Sequence, residues 1–153
     1  MTRTSLPYAV AAAAYLALVG YATFGTVPWQ TAPNEGTRGV LSPRTWLDPD
    51  TWAFGSDLEF AANVVLFIPV GALLCLALPR LAAPLVALAA VAIAAAIEIG
   101  QIPLERVSDP RDLVANAAGA AIGVLAGTLL RRWIPGLVAA RVTSDSGRGD
   151  VAS

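Results

Sequence analysis

The side chains that could do chemistry are concentrated between two very apolar segments, at residues 98–116. Carboxylates such as Glu98 and Asp112 could exchange protons, hold a divalent cation or anchor a cationic group of a ligand. An ionisable residue in an apolar span is rare because its desolvation is costly, so it marks either a functional site or a buried partner. The candidate ligand-binding residues are Asn63, Glu98, Gln101, Arg106, Arg111, Asp112 and Asn116.

Composition excludes several functions. Of the 153 residues, 56% are hydrophobic and 14% are charged, which is more apolar and less charged than an ordinary soluble domain. The formal net charge of -1 gives no electrostatic case for binding nucleic acid. With no histidine and a single cysteine, the usual zinc and copper ligand sets are absent, although carboxylate-bound hard cations stay open. We therefore expect an integral membrane protein without a cofactor.

Four apolar segments are long enough to place these side chains in a membrane. A bilayer core of about 30 Å needs about 20 apolar residues in a helix. The first segment could instead be a cleaved signal peptide, but its apolar part is longer than a typical h-region. The predicted fold is an all-α bundle of four transmembrane helices at about 7–27, 57–78, 84–102 and 110–134, with a long extracytoplasmic surface loop at 28–55 and a polar, disordered cytoplasmic tail at 135–153.

Local signals refine this bundle. Ser56 followed by Glu59 has the form of a capping box, and Asp109 before Pro110 has the form of a helix start. Small residues let helices approach closely, so two stripes are predicted to be packing faces. They are Gly119, Gly123 and Gly127 in the fourth helix, against the second or third, and Ala13, Ala17 and Gly20 in the first.

The topology predicts that polar residues from three helices share one face of the membrane. The second and fourth helices start at this face, and the third ends there. At 1.5 Å per residue, Asn63, Glu98 and Asn116 each lie about 6–8 Å from their helix ends. They therefore occupy one level just below the headgroups.

Each candidate also has a purely structural interpretation. Glu98 could be paired with Arg106 or Arg111, or be protonated and hydrogen-bonded, and buried charge pairs are weak support for a stabilising role. Asp112 could complete a helix cap with Asp109. The two asparagines, at positions 63 and 116, could be interhelical hydrogen-bonding residues, and Gln101 should share the face of Glu98. Both arginines could instead reach lipid phosphate or a ligand anion.

The ordered set of these residues resembles the VanZ-like family of small bacterial membrane proteins. The family pattern has an Asn before F-x-P-x-G, then Glu-x-x-Gln, then Arg, Asp, Asn and two Gly. The matching positions are Asn63, Phe67, Pro69, Gly71, Glu98, Gln101, Arg106, Asp112, Asn116, Gly119 and Gly123. The resemblance covers residues 59–123 and implies a place in the cell envelope. The family is named after a protein that gives low-level resistance to the lipoglycopeptide teicoplanin, and the resemblance implies no reaction.

Three functions follow as hypotheses. The favoured one is a non-enzymatic envelope protein that binds a lipid-linked precursor or lipoglycopeptide and affects teicoplanin susceptibility. The second is an intramembrane hydrolase or transferase that uses Glu98 and Asp112, although no Ser-His or Cys-His arrangement supports it. The third is an accessory subunit of a larger membrane protein. The expected partners are membrane lipids, such a ligand or such a protein. A weak excess of arginine predicts a multi-pass protein of the cell membrane with both termini in the cytoplasm.

Overall fold

The structure, a computed structural model, describes residues 5–24, 39–53, 56–102 and 108–146, with the side chains of the last range described as far as Trp133. These residues form helices and contain no strand. The elements in chain order are α1 (Leu6–Phe24), a 3-10 turn (Gly39–Leu41), α2 (Pro43–Leu47), α3 (Pro49–Ala53), α4 (Asp57–Ala77), α5 (Ala83–Gln101) and α6 (Pro110–Ser146).

Four of these helices are long and apolar enough to cross a membrane. They are α1, α4, α5 and the part of α6 from Pro110 to Trp133. The predicted all-α fold with four membrane-spanning helices is therefore confirmed. Because α5 follows α4 after a short link, the two helices run antiparallel, and α6 begins at the end of the bundle where α5 finishes.

The predicted helix starts are confirmed. The side chain of Ser56 accepts a hydrogen bond of 3.3 Å from the backbone N–H of Glu59 at the start of α4. At the start of α6, Asp109 Oδ1 accepts a bond of 2.8 Å from the N–H of Arg111. Both oxygens satisfy donors that a helix leaves free in its first turn.

The α4–α6 pair is the closest helix contact of the bundle. Glycines of α6 lie directly against the backbone of α4, because a methyl group at Gly119 would overlap the carbonyl of Val64, and one at Gly123 would overlap that of Ile68. Gly71 of α4 meets Ala120 of α6 in the same way. The predicted glycine packing face is confirmed, and its partner is the second membrane helix.

The small-residue stripe of α1 does not pack against the other described helices of the bundle. A methyl group at Gly20 would meet nothing within 4 Å, and Ala13 and Ala17 are exposed. The buried residues are instead Ala12 and Val19. Their side of α1 also carries Tyr15, whose hydroxyl donates to the backbone carbonyl of Leu66 at 3.0 Å. Most faces of an alanine-rich helix are similar in shape. The hydrogen bond of Tyr15 and the larger side chain of Val19 therefore determine which face of α1 is turned toward the bundle.

Two boundaries also differ from expectation. Helix α6 continues to Ser146, although a disordered tail was expected from 135, whereas its candidate membrane span ends at Trp133, next to the expected end at 134. Helix propensity does not predict this extension, because the segment beyond the apolar span begins with Pro135 and Gly136, which disfavour a helix. Part of the predicted surface loop 28–55 forms the turn and the helices α2 and α3. Residues 28–38, including Trp29, residues 54 and 55, and the tail beyond Ser146 lie outside the described residues.

Candidate functional site

Glu98 lies at the junction between α5 and α6, and only 3% of it is exposed. It is the fourth residue from the end of α5, so it lies about 4.5 Å along the helix axis from Gln101. Its carboxylate accepts hydrogen bonds from the backbone N–H of Asp109 and from the hydroxyl of Ser108. The start of α6 is therefore fixed to a side chain of the preceding helix.

This arrangement changes the role expected for Asp112. In a capping box, the acid at the third helical position accepts the N–H of the N-cap residue. Here Glu98 accepts the N–H of the N-cap residue Asp109. Asp112 instead accepts a hydrogen bond of 2.7 Å from Asn63 Nδ2 in α4. The two carboxylates thus connect α6 to two different helices.

The expected convergence of polar groups from three helices is found. Glu98 of α5 and Asp112 of α6 are close enough to interact electrostatically, and Asp112 is bonded to Asn63 of α4. Asn116 lies one turn deeper than Asp112 on α6 and is 4% exposed. We refer to Asn63, Glu98, Asp112 and Asn116 as the junction site.

Two acceptor atoms of the junction site have no hydrogen-bond partner among the described residues. They are Glu98 Oε2 and Asn116 Oδ1, and both are buried. A buried polar atom without a partner costs about 1–3 kcal/mol. Most buried polar groups in folded proteins are paired, so these two atoms are exceptions that need an explanation.

The other predicted ligand-binding residues are not found in the junction site. Gln101 is buried, but its Nε2 donates to the carbonyl of Thr23 at 3.2 Å and so binds the end of α1. Arg111 does not pair with Glu98. Its guanidinium lies 3.7 Å from Asp57 and 5.9 Å from the ring centroid of Phe60, on the side of α6 that faces the start of α4. Arg106 lies outside the described residues.

Sequence reasoning missed the segment that covers Glu98. Gly39, at φ 51°, lies against Ser108, and the Ser108 hydroxyl oxygen accepts a bond of 3.3 Å from the N–H of Val40. Because the same hydroxyl donates to Glu98, a continuous hydrogen-bond chain joins the 39–53 segment to the junction site. The one indication of this contact in the sequence was Gly39, because glycine is the residue that most readily adopts the positive φ found at this turn.

The donor set gives no support for a resident metal ion. No group of three or more His, Cys, Asp or Glu side chains that could hold one occurs in the described part of the chain. Glu98 and Asp112 lie close together, but their described bonds are to a backbone N–H, a hydroxyl and an amide. The chemistry visible in the junction site is therefore hydrogen bonding.

Comparison with known proteins identifies the family. A family model described as VanZ/LLP1 matches residues 11–131, which is most of the chain. The chain belongs to the VanZ/LLP1 family. No curated protein and no solved structure matches it.

The VanZ/LLP1 assignment confirms the resemblance found in the sequence and, with the four apolar helices, supports a multi-pass membrane protein. The motif residues fall into two groups in space. Phe67, Gly71, Gly119 and Gly123 lie in the α4–α6 contact. The polar members of the motif that the structure describes lie near the ends of the helices, and four of them form the junction site.

Proposed function

We propose that this VanZ/LLP1 protein binds the polar part of an amphiphile of the bacterial cell envelope at the junction site, without catalysing a reaction. The ligand is a lipid-linked precursor or a lipoglycopeptide, and binding changes susceptibility to antibiotics of the teicoplanin type. The observation that supports the proposal best is the pair of buried acceptors without a partner, Glu98 Oε2 and Asn116 Oδ1. A ligand with hydrogen-bond donors would satisfy them.

The depth of the site favours an amphiphile over a water-soluble ligand. Glu98 lies about one helical turn from the end of α5, and Asn116 lies about two turns from the start of α6. A molecule whose acyl chains lie in the membrane can place its polar group at this level. Exposed apolar side chains such as Leu85, Leu88 and Ile99 give α5 a surface suited to those chains.

Access requires the 39–53 segment to move. Glu98 is buried, and this segment is attached next to it through the contact of Val40 with Ser108. The hydrogen bond of Val40 to the Ser108 hydroxyl contributes about 1 kcal/mol to this attachment, and the 3-10 turn and α3 also contact α6. We infer that ligand entry breaks this bond and that the Ser108 hydroxyl stays with Glu98.

An intramembrane hydrolase or transferase is the second candidate, and the electrostatic interaction between the carboxylates of Glu98 and Asp112 is the observation that favours it. Such a reaction would use one carboxylate as the acid and the other as the base. It ranks lower because the chain has no histidine and the described residues contain no metal-binding cluster. Turnover that depends on a divalent cation would support it, and copurification with a larger membrane protein would support an accessory role.

We further propose that both termini lie in the cytoplasm and that the junction site lies in the outer leaflet. The arginine excess at the opposite end of the bundle supports this orientation. In a Cys75→Ser background, Asp48→Cys should react with an impermeant thiol reagent added to intact cells, and Arg80→Cys should not. Both positions are exposed in the structure. The reverse labelling pattern would contradict the orientation.

The proposal is tested by an inventory of bound lipids and metals. Native mass spectrometry of protein released from bacterial membranes should show a bound amphiphile and no stoichiometric metal. Glu98→Gln should remove that amphiphile and abolish any teicoplanin tolerance that the wild-type protein confers. Glu59→Gln is the matched control, because Glu59 is an exposed carboxylate at the same end of the bundle. A tolerance that survives Glu98→Gln unchanged would contradict the proposal.

A further inference from the structure

The opposite end of the bundle carries a cluster of arginines that the junction site does not use. Arg131 of α6 crosses to the end of α4, where its guanidinium lies 3.4 Å from the carbonyl oxygens of Leu78 and Pro79. A cation at this position suits the negative end of a helix and its free carbonyls. Its Nε is buried and has no hydrogen-bond partner in the described part of the chain.

Two further arginines are next to the residues of this contact in the chain. Arg80 directly follows Pro79, whose carbonyl Arg131 contacts, and Arg132 is the next residue of α6. Both are exposed, and no hydrogen bond or ion pair is found for either among the described residues. We refer to Arg80, Arg131 and Arg132 as the arginine cluster.

The charges of the bundle are segregated. All seven acidic side chains that the structure describes lie in the 39–53 segment or at the end of the bundle that holds the junction site. The next acid along α6 is Asp145, which is 13 residues beyond Arg132 and so about 20 Å away along the helix. The arginine cluster therefore has no carboxylate to neutralise it in the described part of the chain.

The cluster also lies at the depth of lipid headgroups. Trp133, which is 70% exposed, follows Arg132 at the end of the apolar part of α6. Tryptophan is enriched where the acyl region meets the headgroups, because its ring is apolar and its N–H is polar. Guanidinium groups bind phosphate oxygens through several hydrogen bonds at once.

We propose that the arginine cluster binds the phosphate of an anionic phospholipid, with Arg131 fixed in place by α4 and with Arg80 and Arg132 completing the contact. The lipid holds the α4–α5 turn against α6. Charge complementarity selects an anionic over a zwitterionic headgroup, since an uncompensated cationic cluster attracts net negative charge. This site is independent of the junction site and of its ligand.

The test compares lipids on the purified full-length protein in a nonionic detergent. Phosphatidylglycerol should raise the Tm by about 3 °C or more above the effect of phosphatidylcholine with the same acyl chains. The double variant Arg80→Gln/Arg132→Gln should lose at least half of that difference. Arg44→Gln, which changes an exposed arginine in α2, should keep all of it. In 1 M salt the difference should shrink, because the Debye length falls to about 3 Å.

Several results would overturn the proposal. Equal Tm shifts with the two lipids would show that the protein does not distinguish an anionic from a zwitterionic headgroup. A full shift in the double variant would place the lipid elsewhere. A shift of the same size with inorganic phosphate alone would reveal a small-anion site in place of a lipid site. Native mass spectrometry gives a second readout, in which the wild-type protein should retain phosphatidylglycerol over phosphatidylcholine and the double variant should not.

Discussion

The carboxylate of Glu98 accepts the backbone N–H of Asp109, which is the residue that caps the next helix. One side chain thereby fixes the angle at which α6 leaves α5. It also leaves Asp112 free to bind Asn63 in α4, so that three helices are joined by two carboxylates. Glu98 keeps one oxygen without a partner in this arrangement, which is why a structural and a binding role can coexist in one residue.

Two substitutions of Glu98 distinguish its structural role from its binding role. Glu98→Ala leaves the N–H of Asp109 buried without an acceptor, which costs about 2 kcal/mol and lowers the Tm by roughly 4–8 °C. Glu98→Gln keeps an acceptor for that N–H, so its Tm should lie near the wild-type value. Thermal unfolding of both variants in the same detergent is the measurement. If the Tm of Glu98→Gln were as low as that of Glu98→Ala, the negative charge itself would be required for folding.

The bond between Asn63 and Asp112 should contribute measurable coupling. A double-mutant cycle of Asn63→Ala and Asp112→Ala, measured by reversible unfolding in detergent micelles, should give about 1 kcal/mol. Hydrogen bonds between membrane helices average about 0.6 kcal/mol, and an acidic acceptor at 2.7 Å favours a value above that mean. Pairing Asn63→Ala with Thr128→Ala is the control and should give coupling near zero, because Thr128 bonds to Val124 and Cys75 at the other end of the α4–α6 contact. Zero coupling in the Asn63–Asp112 cycle would mean that water replaces the bond at no cost.

Gly123 and Gly20 form a matched pair of substitutions. Glycine to alanine in a helix stabilises by about 1 kcal/mol when the methyl group has room. Gly20→Ala should therefore raise the Tm slightly, since nothing lies within 4 Å of the added carbon. Gly123→Ala should lower it and reduce the yield of folded protein, because the methyl group would overlap the carbonyl of Ile68. Equal behaviour of the two variants would show that α6 does not approach α4 closely.

Gly39 controls how the 39–53 segment is attached. Its φ of 51° disfavours any other residue, and a methyl group would overlap the side chain of Ser108. Gly39→Ala should therefore release the segment and increase hydrogen exchange of the backbone amides in 39–53 several-fold. Gly20→Ala serves again as the control, with no change in those amides. Unchanged exchange in Gly39→Ala would show that other contacts hold the segment.

The sequence predicted what depends on local pattern. Span length, helix caps and the glycine stripe follow from residues that are near one another in the chain, so the four helices and the α4–α6 contact could be derived. The attachment of Val40 to Ser108 joins residues 68 positions apart and leaves no periodic signal. The direction of Arg111 toward Asp57 depends on the rotation of two helices, which hydropathy does not determine. For the same reason Gln101 was placed with Glu98, although it binds the end of α1.

The claim that the junction site binds a ligand is tested most directly by native mass spectrometry of the wild-type protein and Glu98→Gln, extracted from the same bacterial membranes. We expect a bound amphiphile on the wild-type protein and its loss from Glu98→Gln, with the Tm of the two proteins in detergent alike. Asn116→Leu, which removes the second unpartnered acceptor, should also lose it. Retention of the same amphiphile by Glu98→Gln would show that the Glu98 carboxylate does not bind it. Failure of Glu98→Gln to accumulate would also contradict ligand binding by Glu98, because Glu98 would then be a structural residue alone.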